Sequence, residues 1–241
     1  MVNHRKKFIY IAIPKTATSS MLRTPPIHDI FSPARDFLKK HSTLREDIQE
    51  ISRYHNCDRQ HQLQLILEEY YSFAIVRNPL DRIVSEFAYC MARPIELLTF
   101  KEQKEAFTFF VEQLYTLYKE NRSDIEPSSL NDCFESFHPP RYPEPQTVQG
   151  SPLRAHTFSQ TSYLDPGQTP FSISYLGKYE NIQEAYKHLY QLCGTKPREL
   201  PAFNKSTRKK DYLEYYTDAT KNIIKEVYFK DFENFGYDLE E

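Results

Sequence analysis

A chain of 241 residues is long enough to bury the core of one α/β domain and does not require a second. Its 31 Lys and Arg against 33 Asp and Glu leave a net charge of −2, which excludes a general polyanion binder, so an anion site has to be assembled locally. Cys57, Cys90, Cys133 and Cys193 stand singly, without CxxC spacing or a His partner, so neither zinc nor a disulfide framework is expected and the default is a reducing compartment.

The chain starts basic, with Arg5, Lys6 and Lys7, and runs into Phe8–Ile13, a short apolar stretch rich in β-branched and aromatic residues. Such a run suits a strand buried on both faces of a parallel sheet. It is too short for a membrane span and is stopped by Pro14, so neither a signal peptide nor an anchor is expected. Lys15, Thr16, Ala17, Thr18, Ser19 and Ser20 follow, offering one ammonium, four hydroxyls and the amides of an incipient helix that Thr18 or Ser19 would cap. Strand, loop and helix in that order, with a lysine in the loop, hold a phosphate or a sulfate. The nucleotide-triphosphate pattern GxxxxGK[ST] is absent, because this loop has no glycine. Taken alone, the stretch is equally a strand-turn-helix corner with a surface lysine.

Beyond Pro25 and Pro26, Ile27–Phe31 reads as a short strand. Thr43 with Glu46 three residues on has the pattern of a capping box, and Leu44, Ile48 and Ile51 recur at helical spacing, so His41 precedes a helix. Gln60–Tyr70 reads as another helix. Tyr71–Val76 is the second buried strand, and it delivers Arg77 to its carboxyl end; Pro79 then opens a helix that carries Ser85 about two turns in. Ligands of open parallel sheets sit outside the carboxyl ends of the strands, so Arg77 and the Lys15 loop should face one crevice. An ion pair of Arg77 with Asp81 is the structural alternative. Glu102–Asn121 reads as a long helix whose Phe107, Phe110, Val111 and Leu114 pack inward. Residues 137–170 are dense in proline and read as a long loop, whether lid, binding loop or disordered segment, where acceptor contacts are expected and which is anchored at Gln160–Leu164. A strand over Phe171–Leu176, a helix from Ile182 to Cys193 closed by Gly194, a basic loop with Lys205 and Arg208, and a last helix from Asp218 to Phe232 complete the chain. The expected architecture is α/β: a single P-loop-like domain over residues 1–241, its central parallel sheet flanked by helices.

Three stretches together, Ile13–Ser19, Val76–Ser85 and Asp231–Tyr237, resemble the PAPS-dependent carbohydrate sulfotransferases, in the branch of the heparan uronyl and chondroitin enzymes and their bacterial relatives. The likeness covers nearly the whole chain. It implies that 3′-phosphoadenosine 5′-phosphosulfate (PAPS) is the sulfuryl donor and PAP the product, that Lys15, Thr16, Ala17, Thr18, Ser19 and Ser20 bind the 5′-phosphosulfate, and that Arg77 and Ser85 grip the 3′-phosphate. Lys40-His41-Ser42-Thr43 is similar to a stretch of the bacterial relatives in which the His is the general base, with Lys15 stabilising the leaving phosphate. Lys205 and Arg208 lie in a segment similar to a late loop that closes near the nucleotide. Many relatives carry Gly where this chain has Ala17. No metal is implied, nor any nucleic-acid partner; the acceptor would be a hydroxyl, by family a carbohydrate's. The location would be cytoplasmic in a bacterium, since a Golgi-lumen form would need an anchor not seen here. A catalytically inactive nucleotide-binding relative is one competing reading. An ATP-dependent P-loop phosphotransferase is the other, and lacks its GK[ST].

Overall fold

The computed structural model describes residues 1–31, 42–57, 59–91, 98–121, 157–169, 171–201 and 211–240. The chain folds as two compact units, one of Met1–Arg77 with Gln160–Asn204 and one of Asn78–Ser159 with Lys205–Glu241.

The first unit is α/β. Its sheet runs in the order β1 (Val2–Asn3), β2 (Phe8–Ile11), β3 (Tyr71–Val76), β4 (Tyr175–Lys178). β2, β3 and β4 are parallel, and β1 adds an antiparallel edge that sets Val2 opposite Ile9. The sheet is therefore mixed, because the basic opening folds back through a turn at residues 4–7 and pairs with the strand it leads into. Strand alternation sends Phe8, Tyr10, Phe73 and Ile75 to one face, where they pack with Met21, Leu22, Ile27, Phe31, Tyr186 and Leu189. The opposite face is buried too, since Ile9, Ile11 and Ala74 are all fully covered. Burial on both faces is why these strands read as continuous apolar runs.

Around the sheet lie α1 (Thr18–Leu22), α2 (Ile27–Phe31), α3 (Leu44–Tyr54), α4 (Gln60–Leu67), a one-turn helix Gln160–Leu164, and a helix Ile182–Leu192. The Thr43–Glu46 capping box at the head of α3 is present in both directions. Ile27–Phe31 is helical, not extended: Ile27, Ile30 and Phe31 are buried at the i, i+3, i+4 spacing of one helix face, and the Ile30 amide bonds back to Pro26. The late strand begins at Tyr175, not Phe171, and takes in Gly177 and Lys178. Its start is set by a long-range side-chain exchange. The Ser174 hydroxyl accepts from the Ser72 amide at 3.0 Å and the Ser72 hydroxyl accepts from the Ser174 amide at 2.8 Å, so side chains replace the ladder there. Gly177 is required by close packing, because a Cβ would stand 2.7 Å from Ile75 Cδ1 and 2.9 Å from Ala185 Cβ.

The second unit is helical among its described residues. It contains α5 (Pro79–Met91), α6 (Phe100–Asn121), and two helices, Asp218–Val227 and Phe229–Phe235, where the sequence suggests one. The break falls at Tyr228, whose backbone leaves the helical region and whose hydroxyl donates to the Thr157 carbonyl at 2.6 Å. Asn78 caps α5 by accepting from the Leu80 amide at 2.9 Å, with Pro79 in the first turn. Leu80, Ile83, Val84, Phe87, Phe107, Phe110, Val111 and Leu114 form the core with Tyr215, Ile224 and Phe232. No helix among the described residues is long and apolar enough to cross a membrane.

Candidate functional site

The site is built where β2, β3 and β4 end. Their parallel register sets Ile11 beside Ala74 and Val76 beside Lys178, so the residues just beyond, the Ala12–Ala17 loop, Arg77 and Tyr179, emerge along one edge of the first unit. Ligands of open parallel sheets bind at such an edge.

The loop after β2 is held by its own hydroxyls. Thr16 Oγ1 and Thr18 Oγ1 both donate to the Ile13 carbonyl, at 2.8 and 2.7 Å, and both residues are buried. These two hydroxyl protons thus shape the loop. Neither Thr18 nor Ser19 caps α1: the capping position is Ala17, with φ of 67°. Lys15 also adopts a left-handed backbone, with φ of 66°. Two left-handed residues that each carry a Cβ cost about 1–2 kcal/mol apiece, which the Ile13 clasp has to offset. Because α1 is only five residues long, its dipole is small, and the loop's cationic character rests on Lys15, which is half-exposed. Ser19 is half-exposed as well, while Ser20 is buried. Beneath the loop, burial pushes the Tyr10 phenol far above its ordinary value, with the Thr18 hydroxyl opposing that shift, so Tyr10 stays neutral.

Arg77 is fixed from three sides. Its Nη1 donates to the Lys15 carbonyl at 2.9 Å, and its guanidinium lies 3.9 Å from the centroid of the Tyr179 ring. Its main chain is clasped by Gln160, whose Oε1 accepts from the Arg77 amide and whose Nε2 donates to the Arg77 carbonyl, both at 2.8 Å. The residue is 4% exposed. Lys15 and Arg77, drawn from two separate motifs, are therefore brought together. Gln160 and Tyr179 are the partners to which the sequence alone assigns no role. Tyr179 follows from register, since pairing Val76 with Lys178 makes Arg77 and Tyr179 neighbours; nothing local marks Gln160.

Ser85 lies half-buried in α5 of the second unit. His41, Lys205, Arg208 and most of the 137–170 loop lie outside the described residues. Of the other histidines, His55 Nε2 lies 3.2 Å from the Tyr70 hydroxyl at the amino end of β3, His28 lies 3.1 Å from Asp29, and His61 is exposed on α4. Among the described residues, no group of His, Cys, Asp and Glu could hold a metal ion.

The chain is similar to known proteins along nearly its whole length. Carbohydrate sulfotransferase 11 of Mus musculus is 23% identical over 254 aligned positions, spanning 99% of this chain and 67% of that protein. Carbohydrate sulfotransferase 11 of Rattus norvegicus is 22% identical over the same shares of both chains. No solved structure matches the chain. Residues 1–238 match the model of the sulfotransferase family, and over that length, which takes in both compact units, the chain belongs to this family.

Proposed function

We propose that this sulfotransferase moves the sulfuryl group of PAPS to a hydroxyl of a carbohydrate, its two compact units acting as one sulfotransferase domain. The observation that carries the reading is the 2.9 Å hydrogen bond from Arg77 to the Lys15 carbonyl, which ties two cation-bearing motifs together at adjacent strand ends. A donor with phosphate and sulfate groups at two places needs such paired cations. The names of the relatives support a carbohydrate acceptor.

The donor supplies an activated sulfuryl group and PAP as leaving group; the chain supplies position and charge, as in phosphoryl transfer. Lys15 stands beside the bridging oxygen, which gains negative charge as its bond to sulfur breaks. His41 takes the proton of the acceptor hydroxyl while that oxygen bonds to sulfur, a role worth about 10²–10⁴ in rate. Thr16, Ala17, Thr18, Ser19 and Ser20 line the 5′-phosphosulfate. Arg77 and Ser85 hold the 3′-phosphate, and Lys205 and Arg208 add countercharge that a chain of net charge −2 has to gather locally. The 137–170 segment covers the acceptor.

Incubation with radiolabelled PAPS and a panel of polysaccharides and glycosides, with chelator present, tests the reading. Label should pass to a carbohydrate, and His41→Ala should lower turnover at least about 10²-fold while PAP affinity stays near wild type. Transfer to tyrosine peptides or lipids alone would overturn the acceptor class. Unchanged turnover in His41→Ala would remove His41 as the base.

A further inference from the structure

We infer that Gln160 is a positioning residue for Arg77 and acts on a bound nucleotide only through it; this rests on the nucleotide-binding role proposed for Arg77. The Gln160 carboxamide is complementary to one residue's backbone, accepting from the Arg77 N–H and donating to the Arg77 C=O, each at 2.8 Å and across 83 positions of sequence. The last ladder pair of β3 is Val76 with Lys178, so Arg77 is the first residue past the sheet. Its two buried main-chain groups are paired with a side chain where a neighbouring strand would otherwise serve.

Gln160 is fully buried, so this clasp is shielded from competing water. The residue type is demanding. A primary amide offers an acceptor and a donor side by side, whereas an ionised carboxylate keeps only the acceptor and a thioether offers neither donor nor a strong acceptor. Fixing the backbone at residue 77 fixes where the side chain starts, and the Lys15 carbonyl and the Tyr179 ring fix where it ends. The guanidinium is then ordered before any anion arrives, so binding does not bear the cost of ordering it. Without the clasp, two buried backbone groups lose these two bonds and the strand end relaxes, taking the guanidinium out of register.

A double-mutant cycle separates positioning from general support of the fold. PAP affinity is measured by calorimetry for wild type, Gln160→Met, Arg77→Ala and the double variant, with melting temperatures in parallel. Gln160→Met should weaken PAP about 10-fold when Arg77 is present, and by no more than about twofold in the Arg77→Ala background. Gln160→Glu keeps the shape and the acceptor, and it carries the same cycle if the Met variant does not fold. Wild-type affinity in the Gln160 variants, or an equal loss in both backgrounds, would overturn the inference while leaving the nucleotide site standing. Failure of wild type to bind PAP, or equal binding by wild type and Arg77→Ala, would remove the reading and the inference with it.

Discussion

Buried cations appear in both compact units, and they are put to different uses. In the second unit Arg82, Glu86 and Asp231 are fully buried around Tyr228. Arg82 Nη2 donates to the Phe158 carbonyl at 2.6 Å, its guanidinium lies 5.3 Å from the Tyr228 ring centroid, and the Tyr228 hydroxyl donates to the Thr157 carbonyl. Burial pushes the Tyr228 phenol far up, with Arg82 opposing and Asp231 and Glu86 reinforcing that shift, so the hydroxyl remains a donor. The Arg82 guanidinium is thus turned on the protein's own backbone and on a buried ring. In the first unit Arg77 is held as firmly, yet the lysine whose carbonyl it holds stays half-exposed at the edge of the sheet. Both arginines are buried against internal carbonyls, so what sets the first unit apart is the half-exposed Lys15 beside Arg77, and the proposed binding role rests on that accessible lysine.

The contrast can be broken by substitution. Arg82→Ala removes a fully buried positive charge and the donor to the Phe158 carbonyl; chemical denaturation should show a loss of about 3–5 kcal/mol. Lys15→Ala should do the reverse. Its melting temperature should stay close to wild type, while transfer from saturating PAPS falls about 10²–10³-fold, the scale for removing one charge-stabilising donor. If Lys15→Ala unfolded the protein instead, the loop lysine would be structural and the contrast would fail. Smaller still is Tyr179→Leu, which keeps an apolar surface under the guanidinium and removes the ring; PAP affinity should fall several-fold, matching about 0.5–2 kcal/mol for a cation over an aromatic face.

How much of this can be read from residues alone varies by element. The buried strands Phe8–Ile11 and Tyr71–Val76 are legible because an apolar run between breakers has few other fates, and the Thr43–Glu46 box because its chemistry is local. Lys15 and Arg77 are expected at one edge, as they follow strands of one parallel sheet. Ile27–Phe31 reads as extended yet folds as a helix, since five residues hold too little periodicity to separate a helical turn from a strand. The late strand is displaced from its expected start because the Ser72–Ser174 exchange, which delays the ladder, depends on a partner 102 positions away. Thr16 and Thr18 look like anion donors in the sequence, and their bonds to Ile13 emerge only once the loop closes on itself. Gln160 reads as an anchor without a role, because its partner is a peptide group and peptide groups leave no trace in side-chain pattern.

The Lys15–Arg77 edge is the proposed nucleotide site for PAPS. Calorimetric titration with PAP in metal-free buffer, set beside ATP with Mg²⁺, tests it most directly. PAP should bind wild type without metal, and Arg77→Ala should lose about 10- to 100-fold in affinity, the range for a hydrogen-bonded charge. Binding of ATP with Mg²⁺ alone, or PAP affinity unchanged in Arg77→Ala, would contradict the account.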